Sequence, residues 1–162
     1  MRNRVAKAVL LIGLALAAAA HVLTYVALGN PDWISFSLGL VVVSFLAAVF
    51  GLIVADIPRT KTPSGKLAVV AAVLVLYAIF TFIRLHQRMD GAWSMDEAGG
   101  KYVLEDRGNV IRTLSEQEYR TFEGLFFRTW SSVAGAISVF GLARLQRQAS
   151  ARERHETTSA RG

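Results

Sequence analysis

His21 is the one ionisable residue deep inside an apolar run, Ala8 to Leu28. An imidazole at that depth can relay a proton, hold a ligand, or only satisfy a hydroxyl on a neighbouring helix. The packing alternative has its own pattern. Gly13, Ala17 and His21 recur every fourth residue, so the histidine would cap a seam of small residues, with Thr81 or Ser131 as its partner. A second group is cationic. Arg84 closes the third apolar run, and Arg128 lies in the outer turns of the fourth. Two guanidiniums at that level on adjacent helices would clamp a phosphate or a carboxylate, with Tyr119 and Trp130 beside them and His21 beneath. Against this stands the habit of arginines at helix ends, which snorkel to the interface, and Glu123 is placed to pair with either one.

Other chemistry finds little support. The chain has no cysteine, which excludes disulfides, thiol catalysis and Cys-ligated metals. His86 stands alone, without acidic or histidine neighbours at metal-ligand spacing. Asp90, Asp96, Glu97, Glu105 and Asp106 fall in turn-like sequence with no cleft to hold two carboxylates in register. Ser115 reads as a helix cap and not as a nucleophile, because no base is placed for it. The sequence therefore assigns no catalytic residue, metal ligand or cofactor.

The stretch with the sharpest local signal is Lys101 to Trp130. Two β-prone runs, 102–105 and 110–114, flank Asp106-Arg107-Gly108-Asn109, whose residues tolerate the positive φ of a hairpin turn. Ser115 and Glu118 then form an S-x-x-E capping box, with Leu114 and Tyr119 at the positions of a hydrophobic staple. An apolar stripe continues through Phe122, Phe126, Trp130 and Val133. The exposed strand Val110, Ile111, Arg112 and Thr113 is the candidate surface for a protein partner, because an open β-edge is a docking surface. A two-stranded hairpin is marginal alone, so it must rest on Tyr119, Phe122 and Phe126 or on another protein.

These residues are carried by long apolar runs. Hydrophobic residues make up 53% of the 162, with a mean hydropathy of +0.40, and they gather in uncharged stretches long enough to span a bilayer. The expected architecture is an all-α integral membrane bundle of four transmembrane helices, with a small extracytoplasmic β-hairpin between the third and fourth. The first segment is 1–28, the second span 33–55, the third 67–85, the hairpin and helix start 86–121, the fourth span 122–145, and a disordered basic tail 146–162. Residues 1–20 also resemble a cleavable signal peptide, with Arg2, Arg4 and Lys7 before an apolar core and an alanine run. The apolar character resumes at Val22, which favours a retained helix.

The net charge of +6 is distributed as topology signals are, and not as a nucleic-acid surface. Arg2, Arg4 and Lys7, then Arg59, Lys61 and Lys66, then the tail from Arg144 hold most of the basic residues. The Gly29–Asp32 turn has none, and the segment from Arg84 to Arg128 balances seven basic residues against eight acids. Both termini are thus expected in the cytoplasm, with Tyr25, Trp33, Trp93 and Trp130 near the outer interface. Short loops and the lack of N-x-S/T sequons point to a bacterial inner membrane.

The expected partners are membrane lipids and another membrane or extracytoplasmic protein. The leading functional reading is a non-enzymatic protein acting by contact: an accessory or regulatory subunit, or an immunity-type protector. One alternative is a lipid-headgroup or small-molecule binding protein, or an enzyme, at the outer surface. Another is a small oligomeric transporter, resting on His21 and on small-residue faces such as Ala47, Gly51 and Ala55.

Overall fold

A computed structural model describes residues 2–26, 31–55, 65–89, 94–98 and 101–159. Four helices, α1 (Arg2–Val26), α2 (Pro31–Ala55), α3 (Lys66–Arg88) and α4 (Glu116–Ser159), are each long and apolar enough to cross a membrane. Between α3 and α4 stand three strands: β1 (Ser94–Ala98), β2 (Lys101–Asp106) and β3 (Asn109–Leu114). Pro31 is the first residue of α2 and so belongs to that helix, where its fixed φ and missing N–H cost nothing. Gly29 and Asn30 of the expected turn, the basic link at 56–64, Asp90, Trp93 and residues 160–162 lie outside the described residues. So do the side chains of Trp33, Asp96 and Glu97.

The helices pack by a repeat of small steps. In α1 the buried residues are Ala6, Leu10, Gly13, Ala17, Ala20 and Thr24, alternating four and three apart. In α2 they are Ser37, Val41, Ser44, Ala48, Gly51 and Ala55, with the same alternation. That spacing is the heptad seam of left-handed helix pairs. The buried residues are mostly small or hydroxylated, while Leu46, Phe50, Ile53, Leu76, Phe80 and Phe82 are exposed. A water-soluble bundle does the opposite. In lipid, apolar side chains gain nothing by hiding, and close backbone approach decides the seam.

α4 is the centre of the arrangement and packs against each of the other three helices. The expected stripe through Phe122, Phe126, Trp130 and Val133 is therefore not its inner face. Phe122 and Phe127 are buried, but Phe126 and Trp130 are exposed, and Thr129, Ser131, Ala134 and Ser138 face the bundle. α4 also continues as helix to Ser159, where the sequence suggested a disordered tail. Arg, Gln, Ala and Glu in this stretch are good helix formers, and the helix already nucleated by the cap propagates into it.

The tightest point lies where α1, α2 and α4 meet. A Cβ added at Gly51 would lie 2.8 Å from the Leu10 side chain, and one at Gly141 would lie 2.8 Å from Leu10 and 2.9 Å from Leu52. Leu10 thus fills a notch that only glycines leave open. One turn further on, a Cβ at Gly13 would lie 3.1 Å from Ser138 Oγ and 3.3 Å from the Ala48 backbone nitrogen. α1 is thereby built into the bundle core.

The sheet order is β1-β2-β3, both pairs antiparallel. The expected hairpin is β2–β3, turned by Arg107 at φ 51 and Gly108 at φ 81, a two-residue turn with both φ positive. The third strand was not expected. Ser-Met-Asp-Glu-Ala is acidic and lacks β-branched residues, and it is a strand because β2 supplies its partners. Leu104 and Leu114, with Tyr102, pack on Leu85, Met89 and Phe122, so one face of the sheet rests on the ends of α3 and α4. Tyr119 joins that layer by stacking on Tyr102, with centroids 4.4 Å apart. The capping box forms as the spacing predicts. The Ser115 backbone N–H donates to Glu118 Oε2 at 2.9 Å, and the Glu118 N–H donates to Ser115 Oγ at 3.2 Å.

Shortening Leu10 to alanine leaves the Gly51/Gly141 notch empty. The expected cost is about 2–4 kcal/mol, in the range of other buried Leu→Ala changes. It is measured as a lowered unfolding midpoint in a mixed-micelle denaturant titration, against an unchanged midpoint for the exposed Ile53→Ala.

Candidate functional site

Where α1 ends, α3 and α4 bring polar side chains onto it. His21 Nδ1 lies 3.0 Å from Ser131 Oγ, one of the two partners expected for it. Ser131 Oγ also lies 3.2 Å from the Arg128 carbonyl; when it donates there, it accepts from the imidazole Nδ1–H. The other expected partner, Thr81, receives the Thr129 hydroxyl at 2.9 Å and itself donates to carbonyls of its own helix. The His21 ring packs against Tyr25 and Tyr77, with centroids 5.7 and 5.5 Å away, and the two phenol oxygens are 3.1 Å apart.

Arg128 sits over this group. Its guanidinium carbon is 3.8 Å from the centre of the Tyr25 ring, and Nε donates to Thr24 Oγ1 at 3.2 Å. Nη2 approaches the Thr24 carbonyl at 3.5 Å, a long contact. Thr24 Oγ1 in turn donates to the His21 carbonyl at 2.7 Å. Arginine has five N–H donors, and Nη1 makes no hydrogen bond among the described residues. No carboxylate lies within ion-pair distance of Arg128 among them either.

The remaining expected site residues lie elsewhere. Arg84 is exposed on α3, 6.0 Å from the Phe80 ring centre. Arg128 is turned toward α1, so the described contacts do not join the two guanidiniums in a clamp. Trp130 is exposed and meets Phe45 and Phe126 edge-on. Tyr119 belongs to the sheet layer, roughly 16 Å along α4 from Trp130. Glu123 makes no ion pair with either arginine among the described residues. Sequence reasoning missed Thr24 and Tyr77 and read Tyr25 only as an interface aromatic. The signal was present, since Thr24 and Tyr25 follow His21 by three and four residues and so share its face.

A second concavity opens outside the bundle. A cleft of about 430 Å³ lies between Arg88 at the end of α3, Arg112 on β3, and Gln117, Glu118 and Thr121 at the start of α4. Arg112 bonds Glu118 at 3.0 Å, and Glu118 also serves the cap. A carboxylate in the wall beside the cations makes this a poor anion site. Among the described residues no three His, Asp or Glu side chains are grouped to hold a metal ion.

Replacing Ser131 with alanine removes the hydrogen-bond partner of His21 Nδ1. It should destabilise the bundle by about 1 kcal/mol, as interhelical hydrogen bonds in membranes do. The same titration reads it, and His21→Ala combined with Ser131→Ala should cost less than the two added separately. A scan against models of protein families and searches among curated proteins and solved structures returned no match for this chain.

Proposed function

We propose that this chain is a multi-pass membrane protein acting by contact, as an accessory or regulatory subunit or an immunity-type protector. Its contact surface is the edge strand β3. The observation that carries the reading is a pair of large apolar side chains outside the bundle: Val110 is 55% exposed and Ile111 43%. The register supports it. Leu104 is opposite Arg112, but Glu105 is opposite Val110, so Ile111 is an inserted residue in a β-bulge. Without the bulge Val110 would share the helix-facing side with Arg112 and Leu114. The shift turns it to the other face, beside Thr113. A bulge also discourages continued strand pairing along an edge. The recognition is therefore by side chains, and the fitting partner is an extracytoplasmic segment of another protein with a complementary apolar pocket.

Loss of a stoichiometric partner on changing Val110 and Ile111 to glutamate, with membrane yield unchanged, is the expected outcome. It is read by weighing the complex released from native membranes in mild detergent. A partner retained at full stoichiometry by the double variant overturns this surface.

The orientation is proposed from the charges: both termini cytoplasmic, the sheet outside, in a bacterial inner membrane. The basic residues at the two ends and in the 56–66 link support it. The chain has no native cysteine, so a single one reports its own position. Arg107→Cys in the hairpin turn should react with a membrane-impermeant maleimide on intact cells, and Ser150→Cys only after lysis. The reverse pattern overturns the orientation.

A further inference from the structure

We infer that Arg128, held on α1 by Thr24 and Tyr25, is a binding site for a phosphate ester, supplied by the headgroup of a phospholipid. The inference is independent of the contact surface on β3. Three observations carry it. The first is the missing counter-charge. A guanidinium among apolar helices is costly without an anion, and none of the described residues offers one. The second is restraint. A snorkelling arginine extends freely toward water, but this one is stacked 3.8 Å over Tyr25 with Nε tied to Thr24 Oγ1. Those contacts occupy its face and one edge, and they leave the Nη1 edge for a ligand. An edge with parallel N–H donors is the geometry that matches phosphate oxygens.

The third is depth. Thr24 and Tyr25 lie in the last turns of the apolar run of α1, which ends at Leu28, so the cation lies about one turn below that end, within an arginine's reach of lipid phosphates. A carboxylate on a partner's transmembrane helix would have to be buried to reach the same edge, whereas a lipid phosphate lies within about one helical turn of it. Tyr25 and Tyr77 add a neutral donor. One phenol donates to the other, and the acceptor keeps its own O–H for the ligand. Tyr25 belongs to both groups, with its ring under the guanidinium and its hydroxyl on Tyr77. His21 is a positioning residue here: anchored on Ser131, it packs against both tyrosine rings.

The test uses the full chain in mild detergent and native mass spectrometry of retained lipid. Wild type should retain phosphatidylglycerol about tenfold better than diacylglycerol, which has the same tails and no phosphate. Arg128→Gln should lose most of that preference, and Arg128→Lys should recover part of it, because it restores the charge but not the fork. Glycerol 3-phosphate separates the sources. If it fails to displace the lipid at equal concentration, the occupant is the headgroup. If it displaces the lipid, the same site takes a soluble phosphate ester. Equal retention of diacylglycerol and phosphatidylglycerol by wild type overturns the site without reference to any variant. So does Arg128→Gln retaining phosphatidylglycerol at the wild-type level.

Discussion

Close approach of helix backbones is the constraint on which the rest of this structure depends. Leu10 enters a notch between Gly51 and Gly141, and Gly13 lies against Ser138 and the α2 backbone. With the axes that close, the short side chains of α1 reach α4 directly. His21 meets Ser131, and Arg128 meets Thr24 and Tyr25, because no bulky residue keeps the helices apart. The polar cluster at the C-terminal end of α1 is thus a product of the glycine seam, although no glycine belongs to it.

The same constraint explains the inverted distribution of side chains. Ser37, Ser44, Thr81, Thr129, Ser131 and Ser138 are buried, and many of the leucines, valines and phenylalanines are exposed. Buried hydroxyls are tolerable because most bond a carbonyl one turn back along their own helix, as Ser44, Thr81 and Ser132 do. Ser138 Oγ is buried and makes no hydrogen bond among the described residues, where it lies against Gly13 one turn from the Leu10 notch. Above the bundle the sheet obeys the ordinary rule for water. Its inner face is Leu104, Leu114 and Tyr102 on Phe122, Leu85 and Met89. The change from one side-chain distribution to the other falls within the first turns of α4.

Much of this was legible in the residues. Run lengths gave four helices, with α1, α2 and α3 bounded within a few positions, and Ser115 with Glu118 gave the start of α4 but not its end at Ser159, because caps and turns are local chemistry. What escaped was rotation about the helix axes. Arg84 and Arg128 each end or begin an apolar stretch, but only packing says that one faces outward over Phe80 and the other faces α1. For the same reason the stripe through Phe126 and Trp130 did not say which way it faces. The β-bulge at Ile111 and the strand at Ser94–Ala98 depend on partners several residues distant, and neither leaves a signature in its own sequence.

α4 runs for 44 residues without a proline, from directly beneath the sheet to Ser159. At ~1.5 Å per residue it is a rod of roughly 66 Å, about twice the thickness of a bilayer's hydrocarbon core. Sharp kinks arise at prolines, Gly/Ser pairs or inserted groups, and α4 stays one unbroken helix across Gly124, Ser131-Ser132, Gly135 and Gly141, so such a rod can turn as one body. Pivoted at its middle, a tilt of roughly 5° would swing each end by about 3 Å in opposite directions. A load placed on the sheet is therefore delivered to the far end of the helix as leverage, with no loop in between to absorb it.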